Sequence, residues 1–320
     1  MILHQDILFI IIKYISDYKI LSNLRKTNKL LKKIIYNSCT VDVKYIKNPL
    51  ILHNIFKHPN IYIDYYNDFD IQELNNIKHN ILEINLSKNK NITDISQFTR
   101  LNILDLRYNN LITKIQLINI TSLNINYNTT ITDEELSKLT NIKILHLHYN
   151  EIITNKSLDK LIHLKELYIP NNTNIKYINQ NLHHLDISGS SLITNNNVEK
   201  LTNLISLCLA HNVLIHDSAL SKLTKLESLN LNNNYNITDH SLVNLINLKR
   251  LIIDKNTNIT HEAVSKLINL NWISMAFNNK IKIQDLIHLN KLKYVSLSED
   301  ASYYDSKYIN MLSKKGVKII

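Results

Sequence analysis

Two groupings in this chain hold residue types able to do chemistry. His146 and His148 alternate along one extended stretch and His184 follows further on. Imidazoles that share a face could ligate a divalent metal. Cys208 follows Asp186 and His184 of the preceding segment, an order in which a neighbouring base could activate a thiol. Neither grouping is completed. Fourteen histidines are scattered along the chain, so an alternating pair reads as coincidence, and no Cys pair or His-Glu-x-x-His spacing accompanies them. No oxyanion donor accompanies the thiol, and Cys208 reads better as a small residue on an exposed strand. Gly189 and Gly316 are the only glycines, too few for a glycine-rich phosphate loop. No enzyme activity, metal or cofactor is expected. The chemistry that remains is non-covalent. Tyr108, Tyr127 and Tyr149 stand at equivalent places in successive segments, with His146, His148 and Tyr168 nearby. Such side chains join an apolar body to a polar tip, which suits a protein-binding surface. Trp272, the single tryptophan, forms a second group with Arg250, Asp254 and Phe277.

A recurring phrase positions these residues. From residue 81, Leu-x-x-Leu-x-Leu-x-x-Asn closes at Asn89, Asn109, Asn128, Asn150, Asn172, Ser190, Asn212, Asn234, Asn256, Asn278 and Asp300, most often at steps of 22 residues. In one turn, Leu226, Leu229 and Leu231 point inward from a strand, while Ser228, Asn230 and Asn232 alternate outward. Asn234 then closes the strand, where its side chain can bond a neighbouring turn's backbone. Losing one such residue should cost about 1–3 kcal/mol. Ile237-Thr238-Asp239, followed by Leu242 and Leu245, reads as a capped helix start. Room remains for roughly two or three helical turns at most. The 18-residue step from Asn172 to Ser190 lacks this phrase and predicts an extended or single-turn return. The segment 81–128, with steps of 20 and 19 residues, should be similarly thin.

This pattern resembles the leucine-rich repeat. Its 22-residue period and Ile-Thr-Asp phrase are similar to the short internalin-type and cysteine-poor subclasses. The resemblance implies an α/β solenoid, with a curved parallel sheet on the concave face and short helices on the convex face. It also implies protein ligands on the concave face. With two glycines and three prolines in 320 residues, no flexible linker is expected and the chain should stack as one body. The domain reading is a helical module at 1–40, degenerate first repeats at 41–80, and a solenoid at 81–320. Val41-Asp42-Val43 and Ile61-Tyr62-Ile63 read as irregular first strands. Val317-Lys318-Ile319, after a helix ending near Lys315 and Gly316, reads as a capping strand.

The helical module has its own resemblance. Ile7, Leu8, Ile11, Ile12 and Ile15 follow helical spacing, as do Leu21, Leu24, Asn28, Leu31, Ile34 and Ile35. The order Leu3, Asp6-Ile7-Leu8, Ile11, Tyr14-Ile15, Leu21, Leu24-Arg25, Asn28-Lys29 and Ile34 resembles an F-box. His4 replaces that family's proline, and Leu30 stands where an aromatic is common. The resemblance implies docking to the small adaptor of a cullin-RING ubiquitin ligase, through Leu3, Ile7, Leu8, Ile11 and Leu24, while the repeats hold a target. The alternative is a plain helical cap on a stand-alone binding scaffold with no ligase role.

Charge adds little. The net +10 is carried by dispersed lysines, and the densest cluster (Arg25, Lys26, Lys29, Lys32, Lys33) reads as a solvated helix face. Nucleic acid is therefore not the expected partner. The longest apolar run, Ile7 to Ile12, falls far short of the roughly 18 residues that cross a membrane. The leading segment carries Asp6 and no Lys or Arg, unlike a secretory signal. A cytoplasmic setting is expected, and two cysteines fit a reducing compartment. The 48 asparagines, with abundant Ile and Lys, reflect AT-rich codons. This bias and architecture resemble repeat proteins of giant DNA viruses and AT-rich protists, so the cytoplasm would be a host's if the source is viral.

Overall fold

The computed structural model describes Asn23 and residues 42–44, 60–64, 78–87, 89–179, 181–298 and 304–320. The helical module expected at 1–40, the ladder position at Asp300 and Cys39 lie outside them, apart from Asn23, which is helical. The chain divides into two compact units, residues 1–142 and 143–320. That boundary falls inside the repeat series.

In the first unit, β1 (Asp42–Lys44), β2 (Asn60–Asp64), β3 (Ile81–Asn85), β4 (Ile103–Asp105) and β5 (Ser122–Asn124) pair in parallel in chain order, with one register shift between Ile61 and Tyr62. The phrase explains these strands. Ile84, Leu104 and Leu123 are buried inside β3, β4 and β5, while their immediate neighbours are half-exposed. Burial of one face selects the register, because a one-residue slip would turn every leucine outward. The returns at 89–101 and 109–121 carry no helix, as their short steps predict. The unit ends with α1 (Asp133–Leu136).

The second unit repeats the plan more regularly. Its strands are β6 (Ile144–His146), β7 (Glu166–Tyr168), β8 (His184–Asp186), β9 (Ser206–Cys208), β10 (Ser228–Asn230), β11 (Arg250–Ile252), β12 (Trp272–Ser274), β13 (Tyr294–Ser296) and β14 (Lys318–Ile319). Each pairs in parallel with the next. Parallel neighbours need a crossover of about a dozen residues or more, which each return supplies. The helices α2 (Asn155–Leu158), α3 (Asn195–Val198), α4 (Asp217–Leu220), α5 (Asp239–Leu242) and α6 (His261–Val264) are single turns. The cause is spacing. After α5, Leu245 N–H donates to the Leu242 carbonyl and Leu248 N–H to that of Leu245, at 2.9 and 3.0 Å. Leucines three apart follow the 3₁₀ period rather than the α period. The described part of the 173–182 return has no helix. At the end, α7 (Ser306–Lys314) is capped by Asp305, Gly316 turns the chain at φ 84°, and β14 joins β13.

Two polar ladders tie the turns together. The asparagine side chain works in both directions. Asn234 Nδ2 donates to the carbonyls of Leu209 and Asn212, at 3.1 and 2.9 Å, and its Oδ1 accepts from the N–H groups of Asn236 and Ile237. Asn109, Asn128, Asn172, Asn212, Asn256 and Asn278 do the same. Ser190 keeps only a long contact of 3.5 Å to the Asn172 carbonyl. The second ladder runs through the helix starts. Thr238 caps α5, as its phrase predicts, but Asp239 does not cap. Its carboxylate reaches the next turn and takes the N–H and hydroxyl of Thr260, at 2.8 and 2.5 Å. Asp217 holds Thr238 in the same manner and adds Ser241 Oγ at 2.7 Å.

Candidate binding surfaces on the strand faces

From Asn109 to Asn278, each closing residue (Ser190 in one turn) is preceded by a residue in the left-handed region. These residues are Tyr108 (φ 57°) and Tyr127 (φ 56°) in the first unit. In the second they are Tyr149 (φ 48°), Asn171, Gly189, His211, Asn233, Lys255 and Phe277 (φ 58°). The left-handed residue makes the corner that lets the next side chain aim inward. Residues with a Cβ pay about 1–2 kcal/mol there, and Gly and Asn least. Asn171, Gly189 and Asn233 meet that demand. A Cβ on Gly189 would also collide with the Asn171 side chain. The aromatics do not meet it, and they are exposed: Tyr108 by 61%, Tyr149 by 47% and Phe277 by 65%. The fold would accept a smaller residue at each place.

A second column, at the last strand position, has a structural default as well. Asn85, Asp105, Asn124, Asp186 and Asn230 each accept the N–H two residues on and so finish the strand. His146 and Tyr168 depart from that default. Behind Tyr168 stands Pro170, which has no N–H to satisfy.

In the first unit the rings of Tyr108 and Tyr127 stack, with centroids 4.5 Å apart and planes 14° apart. In the second, His146 stacks on Tyr168 at 4.3 Å and His148 on Tyr149 at 4.6 Å. Tyr168 Oη donates to Glu166 at 2.9 Å, and Asn171 Nδ2 lies 3.2 Å from His148 Nε2. Burial lowers the pKa of His148 against the opposing pull of Asp186. Burial, followed by the bond to Glu166, pushes Tyr168 up to about 12. Both side chains are therefore neutral near pH 7 and present polar tips without charge.

The Trp272 group is only partly assembled. Arg250 lies over the Trp272 ring, 4.3 Å from its centroid, and Lys255 Nζ is 5.9 Å from that of Phe277. Asp254 reaches the next turn to accept from Ser274 Oγ and the Ala276 N–H, at 2.6 and 2.7 Å, so its role is structural. Sequence reading missed Tyr294 and Lys318. They stand beyond Trp272 at the same strand position, and Lys318 Nζ is 5.9 Å from the Tyr294 ring. Counting residues from each closing position would have found Tyr294.

The reactive groupings do not form. Register sets Cys208 beside Asp186, whereas His184 pairs with Ser206. The thiol sits 2.9 Å from Ser188 Oγ, and burial, reinforced by Asp186, raises its pKa to about 11. A thiol so protonated is a poor nucleophile. Among the described residues no group of three or more His, Cys, Asp or Glu could hold a metal, and His146, His148 and His184 form none. No helix among them is long and apolar enough to cross a membrane. The adaptor-docking residues expected at Leu3, Ile7, Leu8, Ile11 and Leu24 lie outside the described residues.

Short parallel strands, most of them closed by an inward asparagine and most returned through a single helical turn, define the leucine-rich repeat solenoid. Solved structures of that fold are similar over nearly the whole chain. An internalin (InlF) from Listeria monocytogenes is 21% identical with a TM-score of 0.58, the match covering 93% of this chain and 92% of that one. A chain from the yeast Rad7–Elc1 complex is 14% identical with a TM-score of 0.51, covering 99% and 92%. At these identities the likeness is one of fold. Neither a protein-family model nor a curated protein matches the chain.

Proposed function

We propose that this chain is a non-enzymatic binding solenoid that holds a protein target on its exposed strand positions. The observation that carries this reading is the set of exposed aromatics at left-handed corners. Tyr108, Tyr149 and Phe277 occupy places where the backbone favours Asn or Gly. Strain kept at a surface position marks a role outside the fold. Tyr127, His146, His148, Tyr168 and Trp272 complete the target-binding set, since stacked rings are rigid anchors that lose little entropy on binding.

The finer reading makes the chain a substrate receptor of a cullin-RING ubiquitin ligase. Residues 1–40 would dock the adaptor through Leu3, Ile7, Leu8, Ile11 and Leu24. Its support is the F-box-like residue order. The likeness to a chain of the Rad7–Elc1 complex is compatible with it. The full chain, purified by affinity from cells of its source or host, should bring down an adaptor and a cullin together with a target. A target recovered without adaptor or cullin leaves a stand-alone scaffold. In parallel, Tyr127→Asn and Tyr149→Asn, each in the full chain, should lower target recovery while the circular dichroism spectrum is unchanged. Unchanged recovery with both variants removes the tyrosines from the surface.

A further inference from the structure

On four successive strands of the second unit, the same outward position holds Arg250, Trp272, Tyr294 and Lys318, paired register to register. The row begins and ends with a cation, and each cation faces an aromatic ring. A guanidinium set over an indole face still has N–H donors to offer beyond the ring edge, in a fork that matches a carboxylate. Among the described residues, neither Arg250 nor Lys318 has a carboxylate within ion-pair distance. Among the described residues, two acids of these turns are already committed: Glu227 pairs with Lys249 at 2.7 Å, and Asp254 is held by Ser274 and Ala276. Exposed cations flanking aromatic rings complement negative charge on either side of an apolar centre.

The geometry points to one occupant: we infer that this row docks an extended acidic segment of a protein, running across the strands. The inference rests on the protein-binding reading above and names the partner chemistry at this part of the face. Neighbouring strands lie roughly 4.8 Å apart, so three intervals separate Arg250 from Lys318 by about 14 Å. An extended chain rises about 3.3 Å per residue and shows every second side chain to one face. Two carboxylates four residues apart therefore reach both cations, while the residue midway between them rests on Trp272 and Tyr294. The recognised pattern is acid-x-apolar-x-acid. A single-stranded nucleic acid fits less well, because its bases need open ring faces for stacking and Arg250 already covers one face of Trp272.

The single tryptophan reports occupancy directly. Trp272 emission in the full chain is followed while the peptide Glu-Ser-Leu-Ser-Glu, capped at both ends, is added. A saturable change is expected, weakening as salt is raised. The isomer Glu-Glu-Leu-Ser-Ser and the basic Lys-Ser-Leu-Ser-Lys should bind at least about tenfold more weakly, the scale of one lost charge-assisted bond. Arg250→Met and Lys318→Met, both at exposed positions, should each weaken binding by a similar factor. Equal response to the isomer or the basic peptide overturns the proposal. So does unchanged affinity in both variants, or a response to an oligouridylate alone. Recovery of the target by the tyrosine variants is read in a separate experiment, so the two readings fail separately.

Discussion

At Tyr149 the demands of fold and of binding diverge within a single residue. Its φ of 48° is one that asparagine accepts more readily than tyrosine. Tyr149→Asn should therefore raise stability, by up to about 1 kcal/mol in urea unfolding of the full chain, while lowering target recovery. Equal or reduced stability would mean that the stack on His148 outweighs the backbone cost. The neighbouring corner runs the other way. At Gly189 a Cβ would meet the Asn171 side chain, which would have to shift, so glycine fits this corner without that displacement and without the cost of a positive φ. The corner residue was legible as a column in the sequence. Its left-handed backbone was not, because Tyr, His, Lys and Phe carry no local signal for positive φ. Gly189 and the asparagines at 171 and 233 were the clue.

The helical returns α1 to α6 are four-residue helices, too short to be stable alone and held by contacts to the turns beside them. The Asp217 carboxylate takes three bonds from the following turn, from the Thr238 N–H and hydroxyl and from the Ser241 hydroxyl. Asp217→Ala leaves those donors without this partner and should cost about 1–3 kcal/mol. Asp217→Asn, which keeps an acceptor, should cost less. Thermal unfolding of the two variants checks the order, and equal losses would show that charge rather than acceptor geometry matters. The Thr-Asp phrase announced a helix start, and the threonine does cap. The aspartate's reach into the next turn was invisible, because it spans 21 residues and depends on how neighbouring turns stack.

A chain of stacked turns distributes its stability between neighbours, so damage should stay local. In the second unit, Val295 is fully buried in β13, next to the terminal strand β14. Val295→Ala should accelerate hydrogen exchange in β12 to β14 and leave β7 and β8 at their original rates. Faster exchange throughout the unit would instead show a single cooperative core. The boundary between the two compact units falls between Ile142 and Lys143 in the chain, where the sequence phrase continues without change. Composition gave no sign of a boundary there, since no glycine or proline run marks it.

The sequence by itself determined which side chains lie inside, where the strands end, and that buried asparagines tie most turns to their neighbours. A period of about 22 residues combined with strand alternation permits one inward set, and a one-residue slip would expose all of it. It determined the absence of a phosphate loop for the same kind of reason, since two glycines cannot build one. Only the tertiary structure decided which outward side chains touch. Arg250 and Trp272 are 22 residues apart in sequence and meet because β11 and β12 pair in that register. His146 and Tyr168 meet across β6 and β7 by the same rule, while Asp254, equally outward in the sequence pattern, turned to hold its neighbour's backbone. Burial sets the inward pattern one residue at a time, whereas surface contacts depend on the separation and register of whole strands.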